Sequence, residues 1–539
     1  MGKKDNTLVR NASFLMIAAL VSKIIGLIYK RPLSSMLGNE SFACFQFAQN
    51  IYFILLMIAS FSIPQAVSKL MAERIAFHRY RDAQKVFKGA LIYAVIAGGV
   101  VALFCLFGSS ILIPKNMSNA RLALQMLSPT IFLSGILGVF RGYFQAYRNT
   151  MPTSLSQILE QIANACIALL MVHFMQVNFS AASGDVQQRW EAAGATIGTG
   201  AGVLSALLLM LGIYGLNRRF IRRRIAKDRK SHDESYSQVL RLIVLIASPI
   251  ILSSFIYNVN GYINSYMYSS IMGYRGVEES VVQSLYSQNS YFMTIINIPL
   301  TLASTAPTSM IPEVSAQYAR GDIRGANLKT DQATWISMLI SIPAAVGLAV
   351  LAGPVTRILF PLSTTDAANI LAIGAVTVIL NGCSNISNGV LQGIGKPRIP
   401  MINAAVALVV DVIVMAVLLF ATDLGVYSIV CAMIVYAVVM CVLNDRAMKK
   451  YMKYRNPWRK AYLPPLLASV PMGIVAGGVY YGLYLLVPVN LICLILSIGL
   501  GALTYFCVYM KIAKPSEEEL GGLPGGGMMI RLSRKLRLI

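Results

Sequence analysis

Four charged residues stand inside long apolar stretches of this chain: Lys23, Arg141, Glu160 and Asp411. Such groups can grip an anion, carry a proton or cation, or pair with one another. A charge at the centre of a membrane helix costs about 2.5–3.5 kcal/mol on insertion, so it should face a cavity or a partner. Arg141 and Glu160 lie nearer the ends of their stretches, where a long side chain can reach the interface. Lys23 and Asp411 lie deeper. Lys23 is a candidate for holding an anionic substrate, and Asp411 and Glu160 are candidates for carrying a coupling ion. Amides cluster as well. Gln46, Gln49 and Asn50 follow the helical i, i+3, i+4 spacing of one face. Asn258, Asn260, Asn264 and Asn289 come later. Amides between membrane helices serve as glue worth about 0.6–2 kcal/mol each, or they line a hydrophilic cavity for a sugar-like headgroup. With Lys23 they form the candidate substrate-binding set.

Other chemistry is poorly supplied. The chain lacks H-E-x-x-H, G-x-S-x-G and P-loop motifs. Its 3 histidines are scattered, and its 8 cysteines form no C-x-x-C pair. Neither a zinc site nor a disulfide framework is expected, and the cysteines read as small buried hydrophobes. No catalytic residue, metal or cofactor is expected. No ATPase segment is visible, so any pumping must draw on an ion gradient, the membrane potential or a substrate gradient.

The elements that must position these residues follow from composition. Of 539 residues 56% are hydrophobic and only 13% charged, about half the charged share of a soluble domain. The apolar residues come in blocks of about 20, the length that spans a bilayer as a helix. Fourteen such blocks predict an all-α polytopic membrane protein with 14 transmembrane helices. The net charge of +24 would suggest nucleic acid in a soluble chain. Here it sorts by side. With an inside N-terminus, alternate polar segments and span ends hold 38 basic residues inside against 7 outside. Both termini are therefore expected in the cytoplasm, with no nucleic-acid partner. Basic clusters at Arg218–Lys230 and Arg446–Lys460 and in the C-terminal tail fit topology and also fit contact with anionic lipids. The tail Met528–Ile539 has the makings of a short amphipathic surface helix.

Two landmarks recur. Gly142-Tyr-Phe-Gln145-Ala returns as Gly389-Val-Leu-Gln392-Gly, 247 residues on, and Ile63-Pro64-Gln65 returns as Ile311-Pro312-Glu313, 248 on. Two parallel six-helix repeats plus two C-terminal helices are expected, a plan suited to alternating access. The divisions are 1–216 (N-terminal lobe), 217–238 (basic linker), 239–443 (C-terminal lobe), 444–462 (basic loop), 463–512 (last two spans) and 513–539 (tail). At offset 247, Asp411 falls opposite Asn164, an acid where the other half has its amide.

The 6 + 6 + 2 plan, Ser22-Lys23-x-x-Gly26 and the paired G-x-x-Q-[AG] landmarks resemble the multidrug/oligosaccharidyl-lipid/polysaccharide exporter superfamily. Within it the chain is most similar to the polysaccharide biosynthesis branch, which holds the stage V sporulation protein B group and MurJ-type lipid II flippases. The resemblance implies a flippase, not an enzyme, that moves an undecaprenyl-pyrophosphate-linked saccharide across a bacterial cytoplasmic membrane. It implies a cationic central cavity lined by spans 1, 2, 7 and 8. A cation or proton is a possible coupling partner, and a monomer is expected. MurJ-type proteins carry Arg where this chain has Lys23, and an Arg-Asp pair where it has Tyr29-Lys30; their eighth-span Arg has no counterpart in Tyr286–Tyr291. The rival readings are a cation-coupled multidrug antiporter of the same superfamily and a membrane-resident polysaccharide-assembly enzyme. Lys23 argues against the first and the absent carboxylate constellation against the second.

Overall fold

The computed structural model describes residues 3–61, 63–226, 228, 231, 234–308, 310–521 and 526–535. All regular structure among them is helical. The chain divides into two compact units, Met1–Ser287 and Gln288–Ile539. The first holds α1 (Lys3–Leu56), α2 (Ile63–Ala76), α3 (Tyr80–Leu112), α4 (Ala120–Ala146), α5 (Met151–Asn178), α6 (Gly184–Leu216), α7 (Arg218–Ala226), α8 (Tyr236–Tyr274) and the start of α9 (Glu279–Thr308). The second holds the rest of α9, α10 (Ile311–Ala319), α11 (Ile323–Val350), α12 (Ala352–Leu359), α13 (Thr365–Gly374), α14 (Val376–Gly393), α15 (Arg398–Ala421), α16 (Tyr427–Met452), α17 (Leu463–Leu486), α18 (Asn490–Ala513), α19 (Glu517–Gly521) and α20 (Gly526–Lys535).

Twelve helices among the described residues are long and apolar enough to cross a membrane. The difference from the 14 expected spans has two sources. The first candidate, Leu20–Ala76, is one continuous run where the sequence places two spans. It is broken at Gly38, whose φ of 72° lies in the left-handed region that glycine enters without strain. The second source is α9, which is not among the twelve. Its 30 residues include Gln283, Gln288, Asn289, Thr294 and Asn297, which dilute its apolar character.

Helix starts follow local chemistry. Ser235 and Gln238 form a reciprocal capping box at the start of α8. Asp322 accepts from the Gly325 backbone N–H at 2.8 Å and starts α11. Both proline landmarks mark a restart. Met57–Phe61 widens to a π turn, and α2 then begins at Ile63 with Pro64 in its first turn. Likewise α10 begins at Ile311 with Pro312. Proline suits these positions because the first-turn N–H has no helical acceptor. The glycine landmarks meet these restarts. A Cβ on Gly142 would lie 2.7 Å from the Pro64 carbonyl oxygen and 2.9 Å from Val67 Cβ, and one on Gly389 would strike Ile311 Cδ1.

In the first unit, α2, α3, α4 and α8 share a core that includes Val67, Phe87, Phe140, Val239 and Ile243. Part of the segment 217–238 is fastened to this core. Glu234 takes Arg74 Nη2 and Arg79 Nη2, each at 2.6 Å. Arg79 also pairs with the fully buried Asp82 at 2.7 Å. Asp228 accepts from the Arg81 backbone N–H at 2.7 Å and from Ser231 Oγ at 2.6 Å. Lys227, Arg229 and Lys230 lie outside the described residues. In the second unit, Tyr509, Met510 and Leu520 pack with Ile336 and Leu339, which seats the tail against α11 and α18. The tail is helical over Gly526–Lys535, with residues 536–539 of the expected surface helix outside the description. Cys166 is exposed, against the expectation of eight buried thiols, and all eight cysteines are free.

Candidate functional site

Each unit carries part of the candidate set. Lys23, Gln46, Gln49, Asn50, Glu160, Asn258, Asn260 and Asn264 lie in the first, and Asn289 and Asp411 in the second. Lys23 is exposed, and it makes no hydrogen bond or ion pair among the described residues. Lys30, two helical turns on, is half-buried. The small residue of the Ser22-Lys23-x-x-Gly26 motif serves packing: a Cβ on Gly26 would touch Gln161 Oε1 of α5 at 3.5 Å. Asn164, also on α5, donates to the Tyr29 hydroxyl at 3.3 Å. The first span is thus held against α5 at Gly26 and Tyr29.

The amides of the second span divide between neighbours. Gln46 is buried. Gln49 Nε2 donates to Thr199 Oγ1 of α6 at 2.8 Å. Asn50 is exposed, yet its Nδ2 donates to the Tyr286 hydroxyl at 2.8 Å, which donates in turn to Ser265 Oγ at 3.1 Å. Phe47 packs on the same Tyr286 ring at 5.6 Å between centroids. One relay therefore joins α1, α8 and α9. Tyr286 is fully buried at its centre. It is absent from the sequence-derived set, because an aromatic in an apolar block carries no sign that its hydroxyl will meet an amide some 240 residues away.

The remaining amides are less uniform. Asn258 Nδ2 donates to its own helix at the Ser254 carbonyl, 2.7 Å away. Asn260 is half-buried and Asn264 wholly buried. In the second unit Asn289 is 2% exposed, and its Oδ1 has no partner among the described residues. Asn444 donates to Asn388 Oδ1 at 2.7 Å and accepts from Asn403 Nδ2 at 2.9 Å, which binds α14, α15 and α16 as glue.

The two acids differ from Lys23. Glu160 Oε2 is 2.6 Å from Arg141 Nη2, with side chains 24% and 18% exposed. Arg141 Nε also donates to Ser156 Oγ at 3.1 Å. Glu160 is thus one half of an ion pair between α4 and α5. Asp411 is fully buried in α15. Among the described residues no group of three or more His, Cys, Asp and Glu is placed to hold a metal.

A further polar cluster joins the loop-side ends of α4, α6 and α9. Asn119 Nδ2 donates to Gln188 Oε1 at 2.5 Å, and Gln188 in turn donates to Gln283. Glu191 accepts from Ser41 Oγ at 2.8 Å. Burial, with the Asp185 charge nearby, holds the Glu279 carboxyl above its usual range.

Comparison with known proteins agrees with this architecture. The polysaccharide biosynthesis protein family model matches residues 8–315, and a MatE model matches residues 249–417. The lipid II flippase MurJ of Bacillus subtilis (strain 168) is 24% identical over 427 residues, covering 76% of this chain and 77% of that protein. Stage V sporulation protein B of the same organism is 22% identical over 453 residues, covering 82% and 84%. A structure of the lipid II flippase MurJ in an inward closed conformation superposes with a TM-score of 0.62 at 16% identity, covering 91% of this chain and 97% of that one. The fold is therefore shared. With its family match spanning more than half its length, the chain belongs to the polysaccharide biosynthesis protein family, within the multidrug/oligosaccharidyl-lipid/polysaccharide exporter superfamily.

Proposed function

We propose that this protein is a flippase for an undecaprenyl-pyrophosphate-linked saccharide of the cell envelope, working by alternating access in a bacterial cytoplasmic membrane. The observation that carries this reading is the state of the membrane-embedded charges. Lys23 is exposed and without an ion-pair partner among the described residues, whereas Glu160 is committed to Arg141 at 2.6 Å. Asp411 has no exposed surface. A bulky cationic drug needs an accessible carboxylate, and neither acid offers one. A pyrophosphate needs an accessible cation, and Lys23 offers that. The relative named as a lipid II flippase supports the same substrate class.

In this reading Lys23 holds the anionic headgroup, and Gln46, Gln49, Asn50, Asn258, Asn260, Asn264 and Asn289 supply hydrogen bonds to it. Asp411 and Glu160 are the candidates for a coupling ion, Asp411 buried in α15 and Glu160 held by Arg141. The chain crosses the membrane 14 times, with both termini in the cytoplasm, as two parallel six-span repeats and two further spans. The paired restarts at Pro64 and Pro312, met by Gly142 and Gly389, support the repeat.

The MatE match to residues 249–417 favours a second reading, a cation-coupled multidrug antiporter. Depletion in the native host separates the two. A flippase leaves a lipid-linked precursor accumulating on the inner leaflet. Unchanged precursor with raised drug sensitivity would establish the antiporter, and loss of the saccharide polymer without lipid-linked precursor would point to an assembly enzyme.

A further inference from the structure

A cavity of about 600 Å3 lies wholly within the second unit, among α14, α16 and the segment that joins α16 to α17. It lies within the usual size range of ligand sites, roughly 300–1,000 Å3. None of the candidate translocation residues lines it.

Its polarity is graded. Its apolar side is formed by Ile379, Leu380 and Cys383 of α14 and by Cys441 and Val442 of α16. Val442, in the long apolar helix Tyr427–Met452, is 45% exposed, so this side is open at the surface. The mouth carries Lys449 and Arg455, both exposed. Seven residues at about 1.5 Å rise separate Val442 from Lys449, so the apolar part and the cationic rim are roughly 10 Å apart along α16. Asp445 also lines the cavity and pairs with Lys449 at 2.6 Å. Lys449 is 56% exposed in that pair, so the contact is a weak surface one that an incoming phosphate can displace.

The roof is fixed. Lys453 adopts a left-handed conformation, φ 52°, and turns the chain back over the cavity. Tyr454 is then buried, and the Tyr462 hydroxyl sits 3.3 Å from Cys383 Sγ. Trp458, 65% exposed, packs against Tyr462 at 4.4 Å between centroids, the ring planes tilted by 31°. An exposed Trp beside cations at the end of a membrane helix marks the headgroup level of a bilayer.

An apolar groove open at the surface, with a cationic and aromatic rim about one headgroup away, matches an amphiphile with an anionic head. We propose that this cavity binds an anionic phospholipid of the cytoplasmic leaflet, with its phosphate between Lys449 and Arg455 and a chain along Val442 and Leu380. The leaflet follows from the proposed topology, whereas the site itself is independent of the translocated substrate. A free anion would use only the rim and a neutral lipid only the groove. An anionic lipid uses both.

The test is native mass spectrometry of the full-length protein in neutral detergent, titrated with phosphatidylglycerol or phosphatidylcholine of the same chains. Phosphatidylglycerol is expected to be held roughly thirtyfold more tightly, the yield of two basic side chains at a lipid surface. Lys449→Gln with Arg455→Gln should abolish that preference, and Lys449→Arg with Arg455→Lys should keep it. Val442→Trp, which fills the groove with the charges intact, should release both lipids while the protein stays monodisperse. Arg218→Gln with Arg219→Gln, an equal loss of charge elsewhere, should change nothing. Equal affinity for the two lipids, or a preference surviving the double Gln variant, overturns the proposal. Loss of the preference in the Arg218/Arg219 variant overturns it in favour of general surface attraction. Displacement by inorganic phosphate at comparable concentration overturns it in favour of a simple anion pocket.

Discussion

Glu234 is the residue whose loss should most change the first unit. Its carboxylate accepts from Arg74 Nη2 at 2.6 Å, Arg74 Nε at 3.1 Å and Arg79 Nη2 at 2.6 Å. Arg74 is 6% exposed, and its other hydrogen bond among the described residues is to the Leu70 carbonyl oxygen at 3.0 Å. Glu234→Gln keeps the size and removes the charge. Breaking one side of a buried ion pair costs about 3–5 kcal/mol. The lower end applies, because Glu234 is 17% and Arg79 20% exposed and Arg79 keeps Asp82. A local opening free energy lowered by about 3 kcal/mol means a roughly hundredfold rise in the open population. Three amides report on it: Arg81 N–H on Asp228, Asp82 N–H on Ser231 and Glu234 N–H on Asp82. Hydrogen exchange read by mass spectrometry on peptides covering residues 79–85 and 231–238 should accelerate by about that factor, with exchange in α5 and α6 unchanged. Exchange within threefold of wild type at residues 79–85 would refute the claim that Glu234 holds this segment down.

Four further outcomes are expected. Lys23→Gln should abolish complementation at normal membrane levels while Lys23→Arg retains it, because a charge-assisted bond to phosphate is worth about 1.5–3 kcal/mol and Arg can make it. In a background without native cysteines, a cysteine at Ser516 should resist an impermeant thiol reagent in intact cells, and one at Asp423 should react; the reverse would invert the topology. Gly142→Ala should lower thermal stability markedly, because the new methyl meets the Pro64 backbone, whereas Gly389→Ala should be mild, because the neighbour is the mobile tip of Ile311; equal melting temperatures would contradict this. Glu279→Gln should raise the melting temperature slightly at neutral pH, since the carboxyl there sits above its usual range and its charged form is disfavoured by burial and by Asp185; the gain should vanish as pH falls through that raised value, and a gain that grows on acidification would reverse the sign.

Features set by the local chain were legible in the sequence, and features set by distant neighbours were not. Block length gave helices that cross a membrane. The restarts at Ile63 and Ile311 follow from the ring of the next residue, which fixes φ and lacks an N–H. Helical spacing placed Gln46, Gln49 and Asn50 on one face but could not say what that face meets. Gln49 turned out to meet Thr199 on α6 and Asn50 to meet Tyr286 on α9. Glu234 reads as one acid in a basic linker, and its importance comes from arginines 155 and 160 positions earlier. The same limit applies to Arg141 and Glu160, which read as two separate charges and form one pair. For α9 two signals diverge: charge alternation along the sequence predicts a span there, while its amides and hydroxyls thin the apolar signal on which a span is recognised.

The pairing of Glu160 bears on what Lys23 does. Both are charges in membrane spans, and each carries an insertion cost of about 2.5–3.5 kcal/mol if left alone. For Glu160 the cost is offset inside the protein, by Arg141 at 2.6 Å. Lys23 is exposed and has no ion pair among the described residues, so no described acid offsets its cost. On the proposed function the headgroup supplies that offset: a pyrophosphate brings negative charge to an exposed ammonium, and a sugar, a neutral lipid or a cationic drug does not. Neutralising Lys23 should therefore weaken substrate engagement by about 10- to 150-fold and leave the melting temperature unchanged. Neutralising Glu160 should instead lower the melting temperature, because it strands Arg141. Equal effects of the two changes on engagement and on melting would refute the distinction.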